Sequence, residues 1–291
     1  MANKSALNLP LLSVLMTVYN REKFIAQAIE SVLESTYKHF EFIIVDDCST
    51  DRSVEIAHIY ENKDPRIKVY INAHNLGQFP NRNRAASLAK GEYLLYVDSD
   101  DTINIDGIEM VVNAMLEFPD CSFGMHWPYS CGEPFSLSSS KVIHKHFFIQ
   151  PCLMNGPGGT IIKREYFNDI NGYPYKYGVP GDMFFNLKAA SKSSIVMLPF
   201  DFMFYRRHDG QEIIKQSEYL FFGYTYLRDA LQELDLHLSK KQVRWLQNKN
   251  KRRFLVNMIK MFAETGSWNK VKIALRLTNF RIKDAVIAVF Q

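Results

Sequence analysis

Through the first 130 residues, short apolar runs of strand length alternate with stretches whose apolar residues recur at helical spacing. Leu11 to Val18 reads as a strand. From Glu22 to Ser35, Ile25, Ile29, Val32 and Leu33 then share one helical face. Phe40 to Val45 is an apolar run of buried-strand length broken only by Glu41, and Ser49 or Thr50 is placed to cap the helix after it. Ile67 to Ile71 predicts a third strand, Asn81 to Ala89 a helix, Tyr93 to Val97 a fourth strand, and Ile108 to Leu116 another helix. This βαβαβαβ rhythm predicts a parallel sheet covered on both faces. Residues 130 to 210 are less regular; there His144 and His146 alternate along a predicted strand, with no acid at ligand spacing, and read as structural. Beyond about residue 215 the pattern is helical. A basic amphipathic segment from roughly Ser239 to Ala263 carries Phe254, Leu255, Met258, Ile259 and Phe262, and Gly266-Ser267 separates it from a second helix.

Parallel sheets bind ligands beyond the carboxyl ends of their strands. Three polar clusters stand at those ends: Thr17-Val18-Tyr19-Asn20, Asp46-Asp47-Cys48-Ser49, and Asp98-Ser99-Asp100-Asp101. The last poses a physical question, because carboxylates this close raise one another's pKa unless something positive stands between them. A helix N-terminus is one answer. A bound divalent cation is the other.

Composition narrows the class. With 47% apolar and 13% aromatic residues among 291, the chain is not disordered. Cys48, Cys121, Cys131 and Cys152 show no C-x-x-C spacing and read as reduced thiols in a cytoplasmic protein. The apolar stretch from Leu9 to Val18 has one Lys before it and no small-residue cleavage site after it, which argues against a secretory signal. The net charge of +4 hides an asymmetry: residues 238 to 291 hold 13 Lys and Arg against two acids, a net of +11. Lys249-Asn250-Lys251-Arg252-Arg253 is a phosphate-like patch, yet no stacking platform accompanies it, so nucleic acid is not expected. Two uses stay open for the basic helix: peripheral contact with an anionic membrane, or packing with its charged face in solvent. Motifs for P-loop, dinucleotide, zinc-protease and serine-hydrolase chemistry are absent.

The motifs that are present resemble those of the family 2 inverting glycosyltransferases of the GT-A fold. They run from Ser13-Val14-Leu15-Met16-Thr17-Val18-Tyr19-Asn20 through Ile44-Val45-Asp46-Asp47-Cys48-Ser49-Thr50-Asp51 to Asn75-Leu76-Gly77 with Arg82-Asn83. Gly91-Glu92-Tyr93 and Val97-Asp98-Ser99-Asp100-Asp101 then follow at the family's spacing. The resemblance implies an α/β fold, a Rossmann-like nucleotide-binding sheet with helices on both faces. Its catalytic domain would cover 1–214, as a nucleotide-sugar half to about 130 and an acceptor half from 131, with a basic helical extension over 215–291. It also implies roles: Tyr19 packing on the nucleotide base with Thr17 beside it, and Asp47 accepting from a uracil N3–H. Arg82 would orient the nucleotide, Asp98 would reach the ribose, and Asp100 and Asp101 would hold Mg²⁺ or Mn²⁺ at the diphosphate. Asp182, in Gly181-Asp182-Met183-Phe184-Phe185, matches the family's general base, and a helix-capping acid is the alternative. His208 closes Tyr205-Arg206-Arg207-His208 and faces either the diphosphate, the metal or solvent. The expected reaction moves a sugar from a nucleotide donor, a UDP-sugar first, to a glycan or lipid-linked acceptor. A nucleotidyltransferase lacks its Gly-rich loop here, and a non-catalytic sugar-nucleotide module would lack the acid pair or the base.

Overall fold

The computed structural model describes residues 9–129, 132–208 and 216–290. The chain runs β1 (Leu12–Val18), α1 (Ile25–Glu34), β2 (Phe40–Asp46), α2 (Ser53–Glu61), β3 (Ile67–Ile71), α3 (Gln78–Leu88) and β4 (Tyr93–Tyr96). It continues through β5 (Thr102–Ile103), α4 (Gly107–Glu117), β6 (Phe123–His126), β7 (Phe135–Leu137), α5 (Ser139–Phe148), β8 (Thr160–Lys163) and α6 (Arg164–Asp169). Last come α7 (Gly181–Lys192), β9 (Ile195–Leu198), β10 (Met203–Phe204), α8 (Gln216–Glu233), α9 (Lys240–Thr265), α10 (Trp268–Thr278) and α11 (Ile282–Phe290). Two compact units emerge: one takes the chain up to Ser138 with Asn155–Tyr173 and Ser193–Arg207, the other Ser139–Met154, Pro174–Lys192 and His208 onward.

In the first unit the main sheet has the order β3-β2-β1-β4-β8-β6-β9-β7. The four strands predicted from the apolar runs pair in parallel, Leu12 opposite Phe40 and Tyr93, and Val18 opposite Asp46. That register brings the carboxyl ends of β1, β2 and β4 to one edge. Leu12, Val14 and Met16 pack with Phe42, Ile44 and Leu95 under Ile25, Ile29 and Val32 of α1, so the periodic residues of the sequence are the core. Beyond β4 the sheet is mixed, because β8 runs antiparallel between β4 and β6. A second, two-stranded sheet pairs β10 with β5, which returns the chain at 203–206 to the segment following Asp101.

Two local expectations change. Helix α2 is not capped by Ser49 or Thr50; Asp51 Oδ1 accepts from Ser53 N instead, at 2.9 Å. His144 and His146 lie on helix α5, not on a strand. His146 Nδ1 accepts from the Cys152 and Leu153 N–H groups at 3.2 and 3.1 Å, and burial lowers its pKa to about 4, so it serves structure as a neutral ring.

In the second unit, α9 begins at a Ser239–Gln242 capping box and ends at Gly266 with φ +62°. Phe254, Met258 and Met261 pack with Tyr224, Val271, Ala274 and Phe280. Part of the predicted apolar stripe is therefore spent on the unit's own core, while Ile259 is 61% exposed. Lys251 pairs with Asp284 at 2.9 Å, and Arg252 Nε donates to Ala288 O at 3.1 Å. Among the described residues no helix is long and apolar enough to cross a membrane.

Gly91 has a steric reason to be glycine. A Cβ there would lie 2.5 Å from Ser13 N and 2.7 Å from Leu11 O, both backbone atoms of or beside β1. Gly91→Ala is expected to push β4 from β1 and cost about 1–3 kcal/mol, the usual range for overpacking. Denaturant unfolding showing wild-type stability would refute this close-approach reading.

Candidate active site

At the carboxyl end of β1 the chain turns through Asn20, whose φ of +52° is a left-handed conformation that Asn tolerates. Asn20 N donates to Ser49 Oγ at 2.9 Å and its Oδ1 accepts from Thr50 N at 2.8 Å. Glu22 N donates to Asp51 Oδ2, and Arg52 N returns to Glu22 Oε2. These reciprocal bonds lace the loop after β1 to the loop after β2. Thr17 O accepts from Ser99 Oγ at 2.9 Å, tying the acid cluster to β1. Tyr19 is 47% exposed at this edge.

Asp47 is buried, and both of its oxygens are engaged. Its Oδ1 accepts from Asn72 Nδ2 at 2.6 Å and Leu76 N at 2.8 Å, and its Oδ2 from Gly77 N at 2.9 Å. Gly77, at φ +88°, needs no side chain to make that turn. Asn72 also donates to Asn81 Oδ1 and accepts from Arg84, and Asn81 Nδ2 donates to Val45 O. Asp47 thus holds the Asn75-Leu76-Gly77 loop and the start of α3. A carboxylate has about four lone-pair sites, so three bonds leave one.

The three carboxylates after β4 each meet a different donor. Asp98 Oδ1 accepts from Arg82 Nη2 at 2.7 Å, Asp100 Oδ2 from Arg21 Nε at 2.9 Å, and Asp101 Oδ1 from Arg206 N at 2.9 Å. Arg206 is further held by Gln27 Oε1 and stands over the Phe24 ring. Arg82 lies beneath the edge, 5.5 Å from the Tyr96 ring centroid. Burial opposes its charge, but Asp98 with Tyr173 and Tyr96 outweighs that and raises its pKa. Its Nε and Nη1 are buried without a partner. Asp101 is 1% exposed, and its carboxyl is raised to about 7 by burial, then by Asp98 and Asp100.

Whether these acids suit a divalent cation rests on their donor chemistry. All offer hard oxygens, but among the described residues no three His, Cys, Asp or Glu side chains are arranged to hold an ion. Such a set fits Mg²⁺ or Mn²⁺ bound through one or two carboxylates and completed by substrate phosphate oxygens, rather than an all-protein cage.

Seven of the nine sequence-predicted residues, Thr17, Tyr19, Asp47, Arg82, Asp98, Asp100 and Asp101, gather at this edge of the first unit. Asp182 and His208 belong to the second. Asp182 opens α7, half-buried, with Oδ1 accepting from Met183 N at 2.6 Å. His208 is also half-buried. The sequence reading passed over Arg21 and Asn72. Arg21's signal is its place directly after the first polar cluster; Asn72, one residue past β3, offers none.

The family profile described as "Glycosyl transferase family 2" matches residues 13–208, more than half the chain. The glycosyltransferase GlyG of Streptococcus pneumoniae is 27% identical over 281 residues, covering 90% of each chain. TuaG of Bacillus subtilis, a glycosyltransferase named for teichuronic acid biosynthesis, is 40% identical over 114 residues, 39% of this chain and 45% of that one. Among solved structures, S. aureus TarS 1-349 in complex with UDP-GlcNAc superposes with a TM-score of 0.68 at 21% identity, covering 91% and 79% of the two chains. The mannosyltransferase PcManGT of Pyrobaculum calidifontis, in complex with GDP-Man and Mn²⁺, gives 0.60 at 14% identity over 97% and 87%. These likenesses show the GT-A fold.

Asp101 makes stability depend on pH. Its folded pKa of about 7 stands above the ordinary 3.8, so its contribution is fully present below about pH 4 and is lost as pH rises through 7. Asp101→Asn keeps an oxygen for Arg206 N but carries no charge. In metal-free buffer the variant is expected to gain about 1–3 kcal/mol at pH 7.5 and to lose that part of the pH slope of Tm. Parallel Tm–pH curves for the two proteins would remove the strain assigned to Asp101.

Proposed function

The chain belongs to glycosyl transferase family 2, and from that premise we propose that it moves a sugar from a UDP donor to a hydroxyl of a glycan or lipid-linked acceptor, inverting the anomeric carbon in one displacement. Membership makes the protein a glycosyltransferase and sets aside nucleotidyl transfer and a non-catalytic module. The observation that carries the donor site is the convergence of Tyr19, Asp47 and the Asp98–Asp101 cluster on one edge of the parallel strands. The UDP-GlcNAc complex of TarS, a protein of the same fold, supports uridine as the nucleotide.

In this reading Tyr19 packs on the base beside Thr17, and Asp47 offers its remaining lone pair while holding the Asn75–Gly77 loop. Arg82 steadies the nucleotide from beneath, and Asp98 takes the ribose. Asp100, with Asp101, would ligate Mg²⁺ or Mn²⁺; the Mn²⁺ of PcManGT supports that assignment. When bound, the ion neutralises charge on the departing diphosphate. Asp182 takes the proton of the acceptor hydroxyl as its oxygen bonds to the anomeric carbon, and UDP leaves with the electrons of the broken C–O bond. His208 contributes to the diphosphate side. TuaG, named for teichuronic acid biosynthesis, supports a cell-surface polysaccharide as the product class.

UDP release from a UDP-sugar panel tests the reading. Turnover is expected with Mn²⁺ or Mg²⁺ and lost in EDTA; full turnover in EDTA sinks the metal assignment. Asp182→Asn retains the oxygen that accepts from Met183 N but cannot take a proton, so UDP affinity should hold while kcat falls about 10²-fold. Near-normal kcat would return Asp182 to a helix-capping role.

Peripheral contact with anionic membrane completes the proposal. It is supported by exposed apolar pairs one helical turn apart, Ile273 with Leu277 and Ile282 with Val286, in the basic C-terminal region. Cosedimentation with phosphatidylserine vesicles at low salt, weakened by Ile273→Ser with Leu277→Ser, is the expected result. A wild type that stays in the supernatant removes the membrane from the account.

A further inference from the structure

The second unit holds a cavity of about 270 Å³ among α7, α8 and α9. Pro180 and Met183, which flank Asp182, form one wall. Tyr224, Tyr226 and Phe254 supply aromatic surface, and Asn250, Asn257 and Arg253 supply polar groups. Asn250 is 4% exposed; its Nδ2 donates to Tyr224 O at 2.9 Å, and its Oδ1 is buried with no partner. A buried amide carbonyl without a donor costs about 1–3 kcal/mol, and a turn of the Asn250 side chain that brings this oxygen to the cavity would let a ligand's O–H or N–H meet it.

Three features choose among ligand classes. Among the described residues no carboxylate lines the cavity, which disfavours a cation. Arg253 hydrogen-bonds Tyr226, and the negative charge of Asp182 reaches that same ring, so an anion would meet a cation already engaged and a carboxylate nearby. Planar amides and a guanidinium among aromatic rings instead match a neutral polyol, whose C–H face packs on rings while its hydroxyls donate and accept. The volume is of the order of one sugar ring.

We propose that this cavity is a glycan subsite that seats a neutral sugar ring of the acceptor beside Asp182, with Asn250 as hydroxyl acceptor. The inference rests on the transferase reading of Asp182 and adds what that reading leaves open: the acceptor is recognised through an uncharged sugar, not through a phosphate or a lipid chain.

Gly223 provides the test. It lines the cavity from α8, and a Cβ built on it meets nothing closer than Arg253 Nη2 at 3.9 Å. Gly223→Ala therefore fits, whereas Gly223→Leu extends into the space. Replacing a helical glycine raises helix propensity, so both should melt no lower than wild type. Saturation-transfer NMR with methyl glycosides of glucose, galactose, mannose and N-acetylglucosamine, and with octyl phosphate, is expected to show binding of at least one glycoside to wild type and Gly223→Ala. Binding should weaken at least tenfold in Gly223→Leu. Equal glycoside binding by a folded Gly223→Leu protein overturns the proposal, as does octyl phosphate binding in place of every glycoside. Wild-type protein that binds UDP but no glycoside overturns this inference alone and leaves the transferase reading standing. Protein that binds a glycoside lost on Gly223→Leu, yet ignores UDP, keeps the cavity as a sugar site and sinks the transferase reading.

Discussion

Three carboxylates at the end of one buried strand can be held together only if positive groups meet them, and the edge of the first unit is organised around that requirement. Arg82 comes from α3, Arg21 from the loop after β1, and the Arg206 N–H from the strand returning through β10. Each partner arrives from a different stretch of chain, so neutralising the cluster also closes the fold around it. The neutralisation is incomplete at Asp101, whose carboxyl stays raised to about 7. In the proposed reading, a cation held by these acids would offset that cost.

Asp47 solves a different problem with the same chemistry. A loop that crosses the carboxyl edge at Asn75-Leu76-Gly77 must satisfy its backbone N–H groups, and one buried carboxylate accepts two of them. Asn72 and Asn81 extend the network to Val45 O at the end of β2. The residue that the resemblance casts as a base acceptor is thereby also the anchor of the loop beside it. On that reading recognition and local structure would share one side chain, and substitution there would affect both.

The legible part of the fold is the part with a regular period. The first four strands and their helices lie where the apolar spacing places them, because a parallel sheet buried on both faces leaves little freedom in which residues are apolar. The mixed half was not legible: β8 enters between β4 and β6 by long-range pairing that no local pattern encodes. The segment holding His144 and His146 misled because alternation over a few residues also fits a helix, and Val142 with Ile143 buries it as α5. Of the site, the acids were legible as a cluster, since like charges at a strand end are unusual in themselves. Two of their partners, Arg21 and the Arg206 N–H, were not, because pairing across 79 or 105 positions leaves no spacing to read.

Arg82 shows why the edge is more than a structural device. Its guanidinium is buried under the strand ends, one N–H group on Asp98 and the Nε and Nη1 donors without partners. For stability alone this is a poor arrangement: a buried donor left unpaired costs about 1–3 kcal/mol, and an apolar side chain would fill the space at less expense. On the proposed reading, an arginine whose charge is held by Asp98, with its remaining donors unpartnered, would instead offer positive charge and N–H groups to the nucleotide. Native proteins carry few such unmet groups, and those they keep concentrate at working sites. The unmet donors of Arg82 and the strained carboxyl of Asp101 lie at the same edge with opposite charge, which is the complement that an anionic nucleotide and its cation together require.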